Sequence, residues 1–344
     1  MANMKVIVGM SGGVDSSVAA YLLKKEGFEV AGAFFDMLKN EKSEEEFNAA
    51  KRVADALKIR IVRIDVSKEF EKEIVAYFLN AYRNGFTPNP CVICNEKIKF
   101  SLAYNRAKQI FGDALFSTGH YAQIEKNKRM HLKKGVDKLK DQSYMLWRLS
   151  QEELKNSLFP LGRYRKEEVF RIAEESALPV VHKESQDVCF IRGKTSEFLK
   201  RHFPIKYGNI LDTEGNVIGR HKGAYFYTIG QRSGLGVSFE KPLYVVKTDV
   251  KRNVVVLGVR EKCMFRKAII TDTNFIELWN GKPINLVCKV RYKAKETPCT
   301  LKMEGDKTVV EFDEKIFAVT PGQSLVLYRE DYVFGGGIIQ DVFV

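Results

Sequence analysis

A chain of 344 residues, 45% of them hydrophobic, can bury a substantial core and leaves room for two or three domains. Lys and Arg number 56 against 43 Asp and Glu, a net charge of +13 that favours a polyanionic partner, nucleic acid before membrane. No apolar run approaches the ~20 residues of a membrane span, no signal-peptide pattern opens the chain, and six cysteines fit thiol, metal or redox use; the expectation is a cytosolic protein with no membrane partner.

The first strand is expected at Val6, Ile7 and Val8, a β-branched run suited to burial on both faces. Gly9, Met10, Ser11, Gly12, Gly13, Val14, Asp15 and Ser16 (GMSGGVDS) break it, because Gly12 and Gly13 permit backbone angles that other residues resist. From Ser16 the period turns helical, with Val18, Ala19, Leu22 and Leu23 on one face and Gly27 as the stop. A strand, a Gly-rich turn and a helix N-terminus together form an anion site, where unpaired N–H groups converge and the dipole adds positive potential. Asp15 is out of place beside an anion unless it caps the helix or holds a metal. No lysine follows the glycines, so this is not the GxxxxGK[ST] loop.

Strands at 30–35 and 59–64 flank a helix from about Ser43 to Lys58, and a further helix follows at 69–80. This alternation predicts an α/β, doubly wound parallel sheet, whose ligands bind outside the carboxyl ends of the strands. In residues 86–100, Pro88 and Pro90 argue against regular structure, so a helix is expected only from near Asn95 to Ile110. Cys91 and Cys94 then sit in a stiff loop entering a helix N-terminus, a place that stabilises thiolates. A strand at 114–117 ends in Thr118, Gly119 and His120, where Gly119 admits a ligand and His120 offers a donor to phosphate or base. Residues 126–140 are dense in cations and read as a hairpin touching a phosphate backbone. A helix at 166–176 and Pro179 precede Cys189, which lies beside Asp187.

Helices become scarce after about Gly193. The expected division is a catalytic domain over 1–193, a small β-rich domain over 194–258 and a C-terminal antiparallel β-barrel over 259–344. Cys263, Cys288 and Cys299 lack paired spacing and read as incidental.

SGGVDSS after a buried strand resembles the pyrophosphate-binding loop of the PP-loop ATP pyrophosphatases. With TPNPCVICNEKIKF, STGHYA, KDQSYMLW, SQDVCFI, YTIGQRSGLG and the late PGQ, the whole chain resembles the bacterial tRNA-specific 2-thiouridylase family. The resemblance implies ATP-dependent adenylation of the C2 oxygen of wobble uridine 34, followed by sulfur transfer. By position, residues 9–16 would bind ATP phosphates, and Phe35 and Gly119 the adenosine. Asn89, Pro90 and Cys91 would face the target base, and His120, Lys140, Asp141, Gln142, Arg291, Tyr292 and Gln323 the tRNA. Cys94 would be the nucleophile and Cys189 the persulfide carrier, loaded by a sulfur-donor protein such as a cysteine desulfurase or relay, while Asp15 would help place Mg²⁺. Where many members carry Asp, this chain has Cys91. That raises a second route, a [4Fe–4S] cluster on Cys91, Cys94 and Cys189. Two rival readings share some of these features: a PP-loop synthetase or amidotransferase acting on a small acid, and a non-catalytic RNA-binding protein.

Overall fold

A computed structural model describes residues 4–181, 188–237 and 239–344. The N-terminal sheet is parallel, in the order β3 (Ile61–Asp65), β2 (Glu29–Asp36), β1 (Lys5–Gly9), β4 (Leu115–Ser117), β7 (Ser157–Leu158). Alternation along β1 divides two cores: Ile7 faces one, while Val6 and Val8 face the other. Helices α1 (Val14–Lys25) and α2 (Glu41–Ala56) cover the Val6 face, and the helices over residues 67–111 cover the Ile7 face. The expected doubly wound sheet is present, with the short β7 and the helix Gln151–Lys155 added. Both are too brief to show a period.

The helix expected from Asn95 begins instead at Pro90. Proline at the first helical position gives up an N–H that has no partner there anyway, so Pro90 starts the helix rather than breaking it. That helix runs as an α-turn (Pro90–Cys94), a π-helical stretch (Asn95–Ala103) and an α-helix (Tyr104–Phe111).

The cationic run does form a hairpin, β5 (Ala122–Lys126) with β6 (Met130–Lys134), but it is not a solvated arm. β6 pairs with the last strand of the barrel at Tyr332↔Lys133. Of the seven Lys and Arg in residues 126–140, Lys133 pairs with Glu125 (2.9 Å) and Lys134 with Glu296 (2.7 Å), and His131 meets Glu277 (2.6 Å), while Lys126, Lys128, Lys138 and Lys140 are exposed. Glu125 lies across the hairpin itself, but Glu277 and Glu296 stand far away in the chain, where no local pattern links them to His131 and Lys134.

In the central region, β8 (Gly208–Leu211), β9 (Val217–His221), β10 (Tyr244–Asp249) and β11 (Val254–Gly258) form a small sheet with one parallel pair, β8 with β11. The helix Thr195–His202 precedes it and was not anticipated. The C-terminal strands β12 (Met264–Phe275), β13 (Ile284–Lys289), β14 (Thr297–Glu304), β15 (Lys307–Phe317), β16 (Ser324–Arg329) and β17 (Tyr332–Phe343) run antiparallel in the order 12-15-14-13-16-17. Pairing of β12 with β17 closes them into a barrel. Two of the incidental cysteines, Cys288 and Cys299, are buried together in the barrel core.

Candidate active site

The loop after β1 lies at the carboxyl edge of the sheet. Gly12 has φ +77°, and a Cβ there would lie 2.7 Å from the Glu46 carbonyl and 2.8 Å from Ala49 Cβ, so α2 packs directly on the loop. The loop holds itself open with its own hydroxyls. Ser11 N–H donates to Ser16 Oγ (3.1 Å), and Ser16 Oγ and Ser17 Oγ donate to the Gly13 carbonyl (3.2 and 2.9 Å). Gly13 is the N-cap of α1 and has no side chain to cap it, which leaves first-turn N–H groups for an anion. Phe35 lies against Gly9, at 3.4 Å from a Cβ placed there, and its ring meets Phe116 at 5.8 Å. Gly119 presses on the start of α1: a Cβ would be 2.8 Å from both Asp15 C and Ser16 N. The structure therefore gathers residues 9–16, Phe35 and Gly119 at one edge.

Asp15 is not idle there. Its Oδ1 accepts from Tyr121 OH (2.6 Å) and from Lys166 Nζ (2.6 Å). Burial, and then the Asp15 charge, push the Tyr121 phenol upward, so it stays a donor.

Cys94 lies on the first turn of the Pro90 helix and is buried. Burial pushes its thiol up to about 12, against the opposing pull of Lys99. This reverses the expected thiolate: desolvation outweighs the helix N-terminus in this position. Cys189 is exposed by accessible surface yet surrounded by protein on most sides, and that crowding also raises its thiol, with Lys99 and Lys42 opposing. Cys94 lies within electrostatic reach of both Cys91 and Cys189. A bridge joins Gly13 to Val181; Asp187 lies outside the described residues. No three His, Cys, Asp or Glu among the described residues are grouped as metal ligands.

The residues assigned to tRNA fall into two groups. Lys140 and Arg291 are exposed, and Tyr292 is half-buried against Tyr144 (5.9 Å between rings). The others are occupied within the protein. Asp141 is buried and accepts from Gly135 N–H (3.0 Å), Ser143 N–H (3.1 Å) and Ser143 Oγ (3.0 Å); burial raises its carboxyl while these donors pull it back. Gln142 Oε1 accepts from Tyr121 N–H (3.0 Å). Gln323 Nε2 donates to the Thr87 carbonyl (2.8 Å), just ahead of Asn89. Asn89 stands at the N-cap position of the Pro90 helix without a side-chain capping bond, and its Nδ2 donates to Met145 Sδ (3.6 Å). His120 Nδ1 bonds Thr118 Oγ1 (2.7 Å), and burial, with Lys99 adding, pushes its imidazole down to about 3, so it is neutral.

Sequence reasoning missed Lys99, Tyr121 and Lys166. Lys99 acts electrostatically on Cys94, Cys189 and His120 alike. In an α-helix residue i+5 lies about 140° away, but the i→i+5 bonding of the π-stretch turns Lys99 back toward Cys94. Lys166 stands 151 residues from Asp15, and no local signal links them.

Family models match the three parts of the chain. They are described as a tRNA methyl transferase HUP domain over residues 4–193, a tRNA methyl transferase PRC-barrel domain over 196–259 and an aminomethyltransferase beta-barrel domain over 265–339. Among curated proteins, the chain is 48% identical over 358 residues to the tRNA-specific 2-thiouridylase MnmA 2 of Thermoanaerobacter sp. (strain X514), covering 98% of each chain. It is 41% identical over 356 residues to the tRNA-specific 2-thiouridylase MnmA of Clostridioides difficile (strain 630), again with 98% of each covered. Among solved structures it bears a slight likeness to the U34-tRNA thiolase NcsA from Methanococcus maripaludis with its [4Fe-4S] cluster, at TM-score 0.38 and 20% identity, covering 55% of this chain and 63% of that one.

Proposed function

The chain belongs to the tRNA-specific 2-thiouridylase family, and from that membership and the site geometry we propose that it replaces the C2 oxygen of a tRNA wobble uridine with sulfur, using ATP. Two observations support this reading: an uncapped α1 N-terminus after residues 9–16, and two cysteines, Cys94 and Cys189, that feel one shared cation, Lys99. Methyl transfer, named in the domain descriptions, has no use for a pyrophosphate loop; sulfur transfer uses both features.

A carbonyl oxygen of uracil leaves poorly. The α1 N-terminus and residues 9–16 hold the ATP phosphates so that the C2 oxygen attacks the α-phosphate and pyrophosphate departs. Phe35 and Gly119 flank the adenosine. Asp15 suits Mg²⁺ through Oδ2, since Oδ1 is taken by Tyr121 and Lys166; bound there, the ion would neutralise charge on the leaving pyrophosphate. The terminal sulfur of a Cys189 persulfide attacks C2 and AMP leaves. The Cys94 thiolate then attacks Cys189 Sγ and breaks its bond to the sulfur now on C2, so 2-thiouridine leaves and a Cys94–Cys189 disulfide remains for an external thiol to reduce. Burial keeps Cys94 a thiol at rest, and Lys99 is placed to favour the thiolate when it reacts. The exposure of Cys189 suits a protein that hands over sulfur. Lys140, Arg291 and Tyr292 are the residues we assign to tRNA contact, and Asn89, Pro90 and Cys91 to the target base. The division at 193/194 and 258/259, and a cytosolic location, belong to the same proposal; no helix among the described residues is long and apolar enough to cross a membrane.

The test is anaerobic incubation with tRNA bearing an unmodified wobble uridine, ATP, Mg²⁺ and a sulfur source, followed by nucleoside mass spectrometry. Wild type is expected to form 2-thiouridine, and Cys94→Ala and Cys189→Ala to form none. Pyrophosphate release with a small acid and no thiouridine would replace this reading with a synthetase.

A further inference from the structure

The helix that carries Cys94 is gripped by the C-terminal barrel at two points. The first is Arg148. On one side its Nε and Nη2 donate to Glu96 (2.7 and 3.0 Å), two residues past Cys94. On the other, Nη1 and Nη2 donate to the Asp272 carboxylate (2.7 and 3.2 Å), and Nη1 also reaches the Asp272 carbonyl (3.1 Å). Asp272 belongs to the barrel strand β12, where the pairing with β17 shifts register between Thr271 and Asn274. It has φ +50°, a left-handed backbone that a non-glycine residue rarely holds, and such bulges re-aim side chains. Asn274, just past the bulge, donates to the Trp147 carbonyl (2.8 Å) and so fixes the chain beside Arg148.

The second point is Thr87, three residues before Pro90. Its N–H donates to the Pro321 carbonyl (2.9 Å) and its carbonyl accepts from Gln323 Nε2 (2.8 Å), both from the turn before β16. Gly322 between them has φ +92°, and a Cβ there would sit 2.8 Å from Phe86 Cβ and from Thr87 N. Thr87 Oγ1 also bonds Thr228 Oγ1 (3.0 Å) in the central region. All three parts of the chain therefore meet one residue ahead of the segment 88–94.

We propose that Arg148 and Gln323 are positioning residues, through which the barrel sets the placement of the Cys94 helix during sulfur transfer. The planar fork of Arg148 suits this role, because two bidentate contacts fix orientation as well as distance. Gln323 works by the same logic on the helix entry, so its side chain acts on the loop rather than on RNA. The kinetic part of this inference rests on the thiolation reading; the exchange part does not.

The full-length protein is compared as wild type, Asp272→Ala, Arg148→Lys, Gln323→Leu, Glu96→Gln and the Glu96→Gln/Asp272→Ala double variant. Hydrogen exchange is followed over 86–99, and kcat and tRNA KM for 2-thiouridine formation are measured alongside the melting temperature. Asp272 is an exposed barrel side chain, so its variant is expected to melt near wild type. Exchange over 90–99 is expected to rise about tenfold in Asp272→Ala and Arg148→Lys, and over 86–90 in Gln323→Leu. In all three, kcat is expected to fall roughly tenfold with KM within about twofold, since small misplacements of reacting groups reduce rate steeply. The double variant is expected to be no slower than the worse single one, because both act through Arg148. Unchanged exchange in Asp272→Ala and Gln323→Leu overturns the proposal, as does a rise in KM at constant kcat. If the wild type forms no thiouridine, the functional reading fails and exchange alone decides this one.

Discussion

Gly119→Ala tests whether the edge of the sheet is built as tightly as the phosphate loop requires. The new methyl would lie 2.8 Å from Asp15 C and Ser16 N and 2.9 Å from Asp15 Cβ. All three atoms belong to the start of α1, and two are backbone, so no flexible side chain can move aside. The loop can withdraw only by disturbing the two 2.6 Å bonds of Asp15 with Tyr121 and Lys166. Overpacking of this kind costs about 1–3 kcal/mol. If the loop withdraws, the same energy appears as ATP binding weakened about 5- to 150-fold. Urea unfolding measures the stability loss and calorimetric titration the ATP affinity. Gly27→Ala is the control: it meets nothing within 4 Å, but at φ +89° it should lose about 1 kcal/mol of stability with unchanged ATP affinity. Wild-type stability and wild-type ATP affinity together in Gly119→Ala would refute the close approach.

His120 gives a pH prediction. Its imidazole is held down to about 3 by burial, against an unfolded value of about 6.5. Between those values the unfolded chain binds the extra proton, so stability falls as pH drops from about 6.5 toward 3, by at most about 1.4 kcal/mol per pH unit. His120→Gln should flatten that slope in denaturation series, and equal slopes would refute the neutral ring. Ser324→Ala removes the acceptor of the buried Trp147 Nε1–H (3.0 Å), while the Tyr144 bond to the Ser324 carbonyl (2.7 Å) stays. The stranded donor should lower unfolding stability by about 1–3 kcal/mol, and a loss below about 0.5 kcal/mol would show the indole finds another partner. Lys166→Met leaves the Asp15 carboxylate without its cation next to the phosphates, so ATP binding in low Mg²⁺ should weaken roughly tenfold. High Mg²⁺ should restore it; an affinity independent of Lys166 at every Mg²⁺ concentration would sink that account.

By itself the sequence determined what depends on neighbours along the chain. The buried strand, the Gly12–Gly13 turn and the start of α1 follow from backbone freedom and period within about twenty residues, and they put residues 9–16 at the carboxyl edge of the sheet. The alternation of strands and helices set the parallel sheet, and the glycine-punctuated strands after 259 set the barrel. Tertiary structure decided what depends on burial and on distant partners. The Pro90 helix looked ready to ionise a thiol, but the protein packed around Cys94 raises its pKa instead, and no local pattern reports that packing. Lys166 reaches Asp15 across 151 residues, Lys134 of the hairpin β5–β6 pairs with Glu296 beside the barrel, and Asp141 and Gln142 turn inward to bond Gly135 and Tyr121. A sequence shows which groups carry charge; only the fold shows whether water, a carboxylate or a buried core surrounds them, and that environment sets their chemistry.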